Sequence, residues 1–288
     1  MMKITNVFQL PESLVTAVSN DSYNAGPCDI SCTTLLSPPR KVALEIKHAS
    51  ELTEDVSDRI WALFGQSIHV VLERAEREAM TERRYSIERQ NWIISGAFDR
   101  FSLSNGILQD FKVTTTWSVR DGPRQEWENQ LNILATILRE NGFDVKKLEV
   151  VVILRDWSKS VAQRGGEYPT APALKIPIDL WSEERCEEYI DERIRLHQAA
   201  RLKLPECTPD EKWSRPDVWA LMKEGRKTAI KLYSDDHEAY TALEVAGMKH
   251  FIEHRPGKDV RCSDYCTAAP FCTQYQISSA GKEMSTSA

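Results

Sequence analysis

Apolar side chains recur along this chain with the periods of both helices and strands. Between residues 57 and 79 they follow three- and four-residue steps, the spacing of one helix face. The stripe consists of Ile60, Phe64, Ile68, Val71 and Ala75. This pattern predicts an amphipathic helix whose stripe packs against the core.

The same kind of pattern predicts three further helices and four strands. The helices lie at residues 31–47, 123–141 and 183–203, and the strands at 92–103, 107–113, 148–154 and 174–178. Ser31 is the expected N-cap of the first helix, which Pro38 and Pro39 interrupt early. The nearly all-apolar segment at 148–154 is typical of a strand buried on both faces. This order of elements predicts an α/β fold with a mixed central sheet flanked by helices.

The character of the sequence changes at residue 204, where a proline-flanked segment (LPECTP) begins. Beyond it we predict two short strands, a helix and a loop-like tail, at residues 218–222, 228–233, 236–249 and 256–276. The chain is therefore expected to form two domains. Residues 1–203 would be the core with an N-terminal extension, and residues 204–288 a cysteine-cluster region that closes back on the core.

Composition places the chain among ordinary globular proteins. Its 288 residues are 41% hydrophobic and 28% charged, with 37 basic and 43 acidic side chains and a net charge of −6. No apolar run approaches the ~20 residues of a bilayer span. The first residues lack the basic-then-apolar order of a secretory signal. We therefore expect a cytoplasmic protein without a membrane partner, and the negative charge mildly disfavours a nucleic-acid partner.

Two acids and a lysine fall on the predicted hairpin at residues 92–113. If the Asn-Gly pair forms a two-residue turn, Asp99 lies opposite Lys112, and Phe101 lies opposite Asp110. Side chains that are directly opposite, or two apart on one strand, share a face. Asp99, Asp110 and Lys112 then project together, and the two carboxylates could hold one hard divalent ion between them.

A solvated salt bridge on an exposed sheet face would explain the same three charges, and such pairs contribute little to stability. Apolar neighbours on both faces of the hairpin argue against this alternative. They are Phe98, Phe101, Leu103, Leu108 and Phe111.

Asp99 followed by Asp110-Phe111-Lys112 resembles the core of the PD-(D/E)XK nucleases. Further segments resemble the RecB-like branch of that superfamily: Gly65-x-x-x-His69-x-x-Leu72-Glu73, Gln130-Leu131-Asn132-Ile133-Leu134, and residues 31–40 (SCTTLLSPPR). The resemblance covers residues 30–155, and Leu134 stands where the family usually has a DNA-contacting tyrosine. It implies a restriction-endonuclease-like fold. It also implies a metal-dependent DNA nuclease, of the exonuclease type, in phage or bacterial DNA processing or recombination.

The resemblance also implies a role for each motif residue. The ligands of Mg²⁺ or Mn²⁺ would be His69, Asp99, Asp110 and the carbonyl of Phe111. Lys112 would position the attacking water or stabilise charge on the phosphoryl oxygens. Gln130 would orient the nucleophile or contact the DNA backbone. Glu73, one helical turn from His69, is a weaker candidate that partners His69 or an arginine.

Basic and aromatic side chains near the core are candidates for DNA contact, because Lys and Arg bind phosphates and aromatic rings stack on unpaired bases. Trp117, which follows the Asp-x-Lys strand, and Arg124 are the substrate-binding residues that we predict. Linear or single-stranded DNA is the expected partner. Some RecB-like nucleases also work beside a helicase or recombinase, and no feature of this sequence marks such a surface.

Seven cysteines are an odd count, which in a cytosolic protein favours a metal or redox role over disulfides. Cys262, Cys266 and Cys272 fall within eleven residues of one loop, and three thiols so close rarely arise from core packing. A fourth thiolate would complete a set for zinc or a 4Fe–4S cluster. Cys207 is the best candidate because it lies in a similar proline-flanked loop. Its rivals are Cys28 and Cys32.

This cysteine arrangement resembles the iron–sulfur nucleases, including the AddB subunit and the CRISPR-associated RecB-like exonucleases. The resemblance implies a 4Fe–4S cluster that clips the C-terminal tail to the core, and zinc would serve the same purpose. Two other function classes are alternatives. One is a catalytically weak or inactive nucleic-acid-binding or assembly module, which the intact Asp99, Asp110 and Lys112 disfavour. The other is an electron carrier, for which no Gly-x-Gly-x-x-Gly loop is present.

Overall fold

The computed structural model describes residues 3–20 and 25–286. It divides the chain into two compact units. The first unit comprises Met1–Ala43 and Ala49–Leu204, and the second comprises Leu44–His48 and Pro205–Ala288. Among the described helices, none has the length and apolar character needed to cross a membrane.

The first unit alternates strands with helices. Its strands are β1 (Lys3–Thr5), β2 (Ile30–Ser31), β3 (Thr53–Asp55), β4 (Met80–Arg89), β5 (Trp92–Ser102), β6 (Ile107–Thr114), β7 (Lys147–Leu154) and β8 (Ala173–Ile178). Its helices are α1 (Glu12–Ser19), α2 (Cys32–Leu36), the first turn of α3 (Pro39–Lys47), α4 (Val56–Ala75), α5 (Gln125–Glu140), α6 (Lys159–Ala162) and α7 (Glu183–Leu202).

Six strands form the central sheet, in the order β2-β5-β6-β7-β8, with β4 also paired to β5. The β2–β5 and β6–β7 pairs are parallel, whereas β4–β5, β5–β6 and β7–β8 are antiparallel. Helix α5 packs against this sheet with nine buried residues, including Leu131 and Leu134. The prediction of an α/β fold with a mixed central sheet flanked by helices is confirmed.

A glycine sets how closely α5 approaches the sheet. A Cβ atom on Gly96 of β5 would lie 2.4 Å from Leu134 Cδ2 and 3.0 Å from Ile137 Cδ1. A side chain at this position would force the packed side chains of Leu134 and Ile137 to shift. The sequence pattern did not identify this contact, because a lone glycine in a strand does not show what it faces.

Gly96→Ala is therefore expected to destabilise the protein by about 1–3 kcal/mol, the usual cost of overpacking a filled core. Gly65→Ala is the matched control, because nothing lies within 4 Å of a Cβ built on Gly65 in the middle of α4. That change should instead stabilise the helix by about 0.5–1 kcal/mol. Thermal unfolding of the full chain measures both. Equal midpoints for the two variants would show that α5 does not depend on Gly96.

Two predicted helices differ from the structure. The segment at 31–47 is two helices, because the chain is extended at Ser37 before Pro38 and α3 begins at Pro39; Ser31 does cap α2, with Oγ accepting from Thr34 N at 3.2 Å. The prediction that the apolar stripe of α4 packs against the core is wrong. Phe64 is 41% exposed and Val71 is 60% exposed. Apolar residues lie all round this helix, so its periodicity could not select the buried face.

The hairpin joins β5 to β6 in a register two residues away from the predicted one. Ser102 pairs with Ile107 and Phe101 with Leu108, and the loop between them has four residues, not two. Gly106 closes the loop with φ +66° and donates its N–H to Ser102 O at 2.9 Å. A shift of two residues leaves every side chain on its original face, so the predicted clustering does not depend on the error.

Strand β7 differs in one respect from its prediction. Its residues alternate between buried and half-buried, with Leu148 and Val150 buried and Glu149 and Val151 half-buried. The strand is therefore fully covered on one face only, and an apolar run alone did not distinguish these cases.

The second unit has its own small sheet. Its strands are β9 (Ser214–Arg215), β10 (Val218–Lys223), β11 (Lys231–Tyr233), β12 (His250–Arg255) and β13 (Lys258–Asp259). Its helices are α8 (Pro209–Lys212), α9 (Asp236–Ala246), α10 (Val260–Asp264) and α11 (Thr273–Thr286). Strands β11-β10-β12 form an antiparallel sheet. The predicted helix at 236–249 ends early, at Gly247, and β12 was not predicted. The tail at 256–276, predicted to be loop-like, contains β13, α10 and the start of α11.

Candidate metal centre

The acids and the lysine of the hairpin converge at the middle of the central sheet. Asp110 on β6 is only 3% exposed. Lys112 Nζ lies 2.8 Å from Asp110 Oδ2 and donates to Oδ1 at 3.0 Å. Asp99 on β5 accepts a hydrogen bond at Oδ2 from the backbone N–H of Phe111, at 2.6 Å. The structure thus brings Asp99, Asp110 and Lys112 together.

Helix α5 contributes Gln130 to the same group. Its Oε1 atom accepts from Lys112 Nζ at 3.1 Å, and its Nε2 atom donates to Asp110 Oδ1 at 3.0 Å. Lys112, Asp110 and Gln130 therefore form a closed triangle of hydrogen bonds, which fixes the lysine amine beside the buried carboxylate. Leu134, four residues further along α5, is buried in the core, so it makes no substrate contact there.

His69 on α4 lies at the other side of the two acids. Its Nδ1 is 3.2 Å from Glu82 Oε1 and 3.5 Å from Asp99 Oδ1, and its Nε2 is 3.3 Å from Phe111 O. A carbonyl and an ionised carboxylate can only accept, so both ring nitrogens must donate. The hydrogen bond to Glu82 raises the pKa of His69 to about 9, against the opposing effect of burial. The charged imidazolium thus lies among the oxygens that would bind a cation.

Glu82 is the site residue that sequence reasoning missed. It lies on β4 with φ +47°, between Thr81 and Arg83, which pair with Arg100 and Phe98 of β5. A non-glycine residue in this left-handed conformation costs roughly 1–2 kcal/mol. The strained backbone turns the Glu82 carboxylate toward His69. No sequence signal marks such a position, and Glu73, the partner suggested by helical spacing, is exposed instead.

Crowding of negative charge gives this group unusual proton affinities. Burial, and then the nearby charge of Asp110, raise the pKa of Asp99 to about 7. Burial lowers the pKa of Lys112, but the charges of Asp110 and Asp99 outweigh it, so the net shift is upward. A lysine that stays protonated between acids suits charge stabilisation and not general-base chemistry.

The residues fit a hard divalent ion. His69, Glu82 and Asp99 offer ligand atoms that all lie within 4.8 Å of one another. Asp110 Oδ2 is buried and has no hydrogen bond of acceptable geometry, although Lys112 Nζ is close enough to form an ion pair. A buried carboxylate oxygen without a hydrogen bond needs compensation. The carboxylate and carbonyl oxygens suit Mg²⁺ or Mn²⁺, and His69 is the one softer ligand of the group.

The two predicted substrate contacts lie outside this group. Trp117 is 61% exposed in the 3₁₀ turn Thr116–Val119, which follows β6. Arg124 precedes α5; its guanidinium donates to Ser118 Oγ at 2.7 Å and lies 5.7 Å from the ring of Trp127. The structure places neither side chain among the hydrogen bonds of the acidic group.

The C-terminal cysteines lie in the second unit. Burial raises the pKa of Cys262 to about 11, and Cys266, Asp259 and Cys272 add to the effect, so the three thiols share one neighbourhood. Gln274, two residues after Cys272, donates to Cys207 O at 3.0 Å and accepts from Cys207 N at 2.8 Å. Cys32 belongs to the first unit, where its thiol donates to Gln130 O. Among the described residues, His69, Glu82 and Asp99 bring three ligand atoms within 4.8 Å of one another, and the cysteines form no group as compact as this.

Metal binding at the acidic group is expected to strengthen as the pH rises. An ion must displace the protons of His69 and Asp99, whose pKa values are about 9 and 7, so both compete more strongly at low pH. The Kd for Mn²⁺ should fall by at least about tenfold between pH 6.5 and 8.5. Titration followed by electron paramagnetic resonance of Mn²⁺ measures it.

Two glutamates provide the matched comparison for this pH dependence. Glu82→Gln removes the main cause of the raised His69 pKa, so binding should become weaker and less dependent on pH. Glu73→Gln should leave the curve unchanged, because Glu73 is exposed on α4. A wild-type Kd that is constant across this range would show that metal binding displaces neither proton.

Two solved structures are distantly similar to this chain. No family model matches the sequence, and no curated protein matches it. The crystal structure of SSO0001 is 18% identical with a TM-score of 0.46, and the alignment covers 64% of this chain and 84% of that one. A phage-related exonuclease from Haemophilus somnus 129PT is 11% identical with a TM-score of 0.39, covering 61% and 94%. Likenesses this distant carry no argument about activity.

Proposed function

We propose that this protein is a Mg²⁺- or Mn²⁺-dependent deoxyribonuclease of the PD-(D/E)XK type, acting as an exonuclease on linear or single-stranded DNA in phage or bacterial DNA processing. The observation that carries the proposal is the convergence of two acids, one lysine and one glutamine at the middle of the sheet. Asp110 is held by Lys112 and Gln130, and Asp99 lies beside it. A solvated surface salt bridge would not bury Asp110 to this extent.

Asp99 and Asp110 would hold the ion, with His69 and the Phe111 carbonyl as predicted. When bound, a divalent ion polarises the scissile phosphate and lowers the pKa of a bound water. For His69 to become a ligand, it must first release a proton from one ring nitrogen. Glu82 would then orient the ring through its hydrogen bond, as carboxylates commonly do for metal-bound histidine.

Lys112 and Gln130 would act on the reacting phosphate. The amine of Lys112 remains protonated, so it stabilises negative charge that develops on the phosphoryl oxygens. Gln130 fixes that amine with Oε1 and leaves its amide group beside Asp110, where it could orient a water. Because these donors are positioned before substrate arrives, little reorganisation is needed during the reaction.

The proposal includes a 4Fe–4S cluster in the second unit, held by Cys207, Cys262, Cys266 and Cys272. The shared neighbourhood of the last three thiols supports it, as does the pairing of Cys207 with Gln274. A zinc ion held by the same four thiolates is the alternative. A thiolate-held cluster is consistent with a cytoplasmic location.

The experiment is a cleavage assay on the anaerobically purified full chain. End-labelled single-stranded, linear duplex and closed circular DNA are incubated with Mg²⁺, Mn²⁺ or EDTA. We expect metal-dependent release of short products from the linear substrates, with the circle resistant. Binding of DNA without cleavage under every metal condition would instead identify a non-catalytic nucleic-acid-binding module. Cleavage of the circular DNA would show that the protein is an endonuclease and not an exonuclease.

A further inference from the structure

Helix α4 carries an exposed surface that leads to the metal centre. Trp61, Gly65 and His69 are four residues apart, so they follow one another along one side of the helix. His69 is in the metal centre through Phe111 O and Glu82. Trp61, at the other end of this row, is 59% exposed. The row therefore joins an exposed indole to the proposed site of cleavage.

Arg155 ties this row to the strand that carries the acids. Its backbone N–H donates to Thr114 O at 2.9 Å, at the end of β6 and two residues after Lys112. Its guanidinium carbon lies 3.8 Å from the centroid of the Trp61 ring. This cation–π contact covers one part of the indole and holds a positive charge beside it. Phe64 meets the same ring edge-on, with centroids 6.4 Å apart and planes at 74°.

Gly65 leaves the helix surface between Trp61 and His69 without a side chain. Nothing lies within 4 Å of a Cβ atom built at this position. Close packing within the protein therefore does not require glycine there, and glycine in a helix interior is destabilising relative to alanine. Because Gly65 has no side chain, the backbone of a ligand can approach the helix closely at this position.

We infer that Trp61, Gly65 and Arg155 bind the single-stranded end of the substrate, an inference that rests on the proposed nuclease function. One base stacks on the exposed part of the Trp61 ring. Arg155 donates to a phosphate, and the backbone passes over Gly65 toward His69. Single-stranded nucleic acid is the occupant with this chemistry, because it offers both an unpaired base and a phosphate. An apolar protein surface would not need the guanidinium.

Equilibrium binding of a fluorescein-labelled oligo-dT in EDTA tests the inference without catalysis. Trp61→Ala should weaken binding by roughly tenfold or more, since stacking of one base on an aromatic ring is worth this much. Trp61→Phe retains a stacking ring and should recover most of the affinity. Val71→Ala, which removes an equally exposed apolar side chain from the same helix, should leave the Kd unchanged. A matched duplex should bind Trp61→Ala as well as it binds wild type.

Arg155→Gln provides a second variant in case Trp61→Ala does not fold. It should reduce the slope of log Kd against log salt by about 0.7, the value for one phosphate contact on a single strand.

Unchanged oligo-dT affinity in Trp61→Ala, or an equal loss of affinity for duplex DNA, would overturn the inference. So would a change in oligomeric state alone, which would assign this surface to a protein contact. Trp61-dependent binding by a protein without nuclease activity would support the inference and contradict the proposed function.

Discussion

Asp110→Asn is expected to lower the rate of metal-dependent DNA cleavage by about 10³-fold or more. The substitution removes the charge of a buried carboxylate whose Oδ2 lacks a hydrogen bond, while the amide keeps its shape. Metal affinity should fall with the rate, because a neutral amide is a poor ligand for a hard ion. The measurement is single-turnover cleavage of linear DNA in Mn²⁺, with metal binding followed on the same preparation.

Lys112→Ala should cost about 10²–10³-fold in rate but for a different reason. The variant keeps both acids, so it should still bind Mn²⁺, while the charge that stabilises the phosphoryl oxygens is lost. It also leaves Asp110 buried without its counter-charge, which should lower the melting temperature. Metal binding that is retained when cleavage is lost would separate the role of Lys112 from that of Asp110.

The chain contains a matched control for both substitutions. Asp144 and Lys146 repeat the Asp-x-Lys spacing, and their side chains form a 3.0 Å ion pair that is exposed to solvent. Asp144→Asn and Lys146→Ala should therefore change neither cleavage nor metal binding, since exposed pairs contribute little. If Asp110→Asn cleaved as fast as Asp144→Asn, the acidic group on β5 and β6 would not be the active site.

The sequence was most informative where a face, and not an exact register, decided the outcome. Alternation along β5 and β6 placed Asp99, Asp110 and Lys112 together although the turn was wrong, because a two-residue shift conserves faces. Gln130 could be added only through the family resemblance. Its hydrogen bonds to Asp110 and Lys112 depend on how α5 packs, which Gly96 allows.

Other features depend on tertiary structure that no local pattern encodes. Helix α4 has apolar residues on all sides and only Val56 buried, so its periodicity did not show how the helix packs. Glu82 reaches the site because its backbone has φ +47°, a conformation that a glutamate adopts only when the surrounding structure imposes it. Residues whose backbone conformation disagrees with their local sequence preference are expected mainly at functional sites.

Cys262→Ala is expected to remove the iron of the proposed cluster and to unfold the second unit. The described core of that unit is small, with buried apolar side chains such as Leu221, Met222 and Ala268. A core of this size rarely supplies more than ~3–5 kcal/mol, and small domains commonly depend on a metal for the rest. Because binding energy to a structural site is folding energy, losing one thiolate should destabilise the unit by several kcal/mol.

Iron content, visible absorbance and thermal unfolding of the anaerobically purified full chain measure this prediction. Cys207→Ala should behave like Cys262→Ala, whereas Cys28→Ala should keep its iron and its melting temperature. That comparison separates Cys207 from Cys28 as the fourth ligand, and Cys32→Ala tests the third candidate in the same way. A colourless wild type with one zinc per chain would select zinc over the cluster. If Cys262→Ala kept the iron content and the melting temperature of the wild type, this set of cysteines would not hold the cluster.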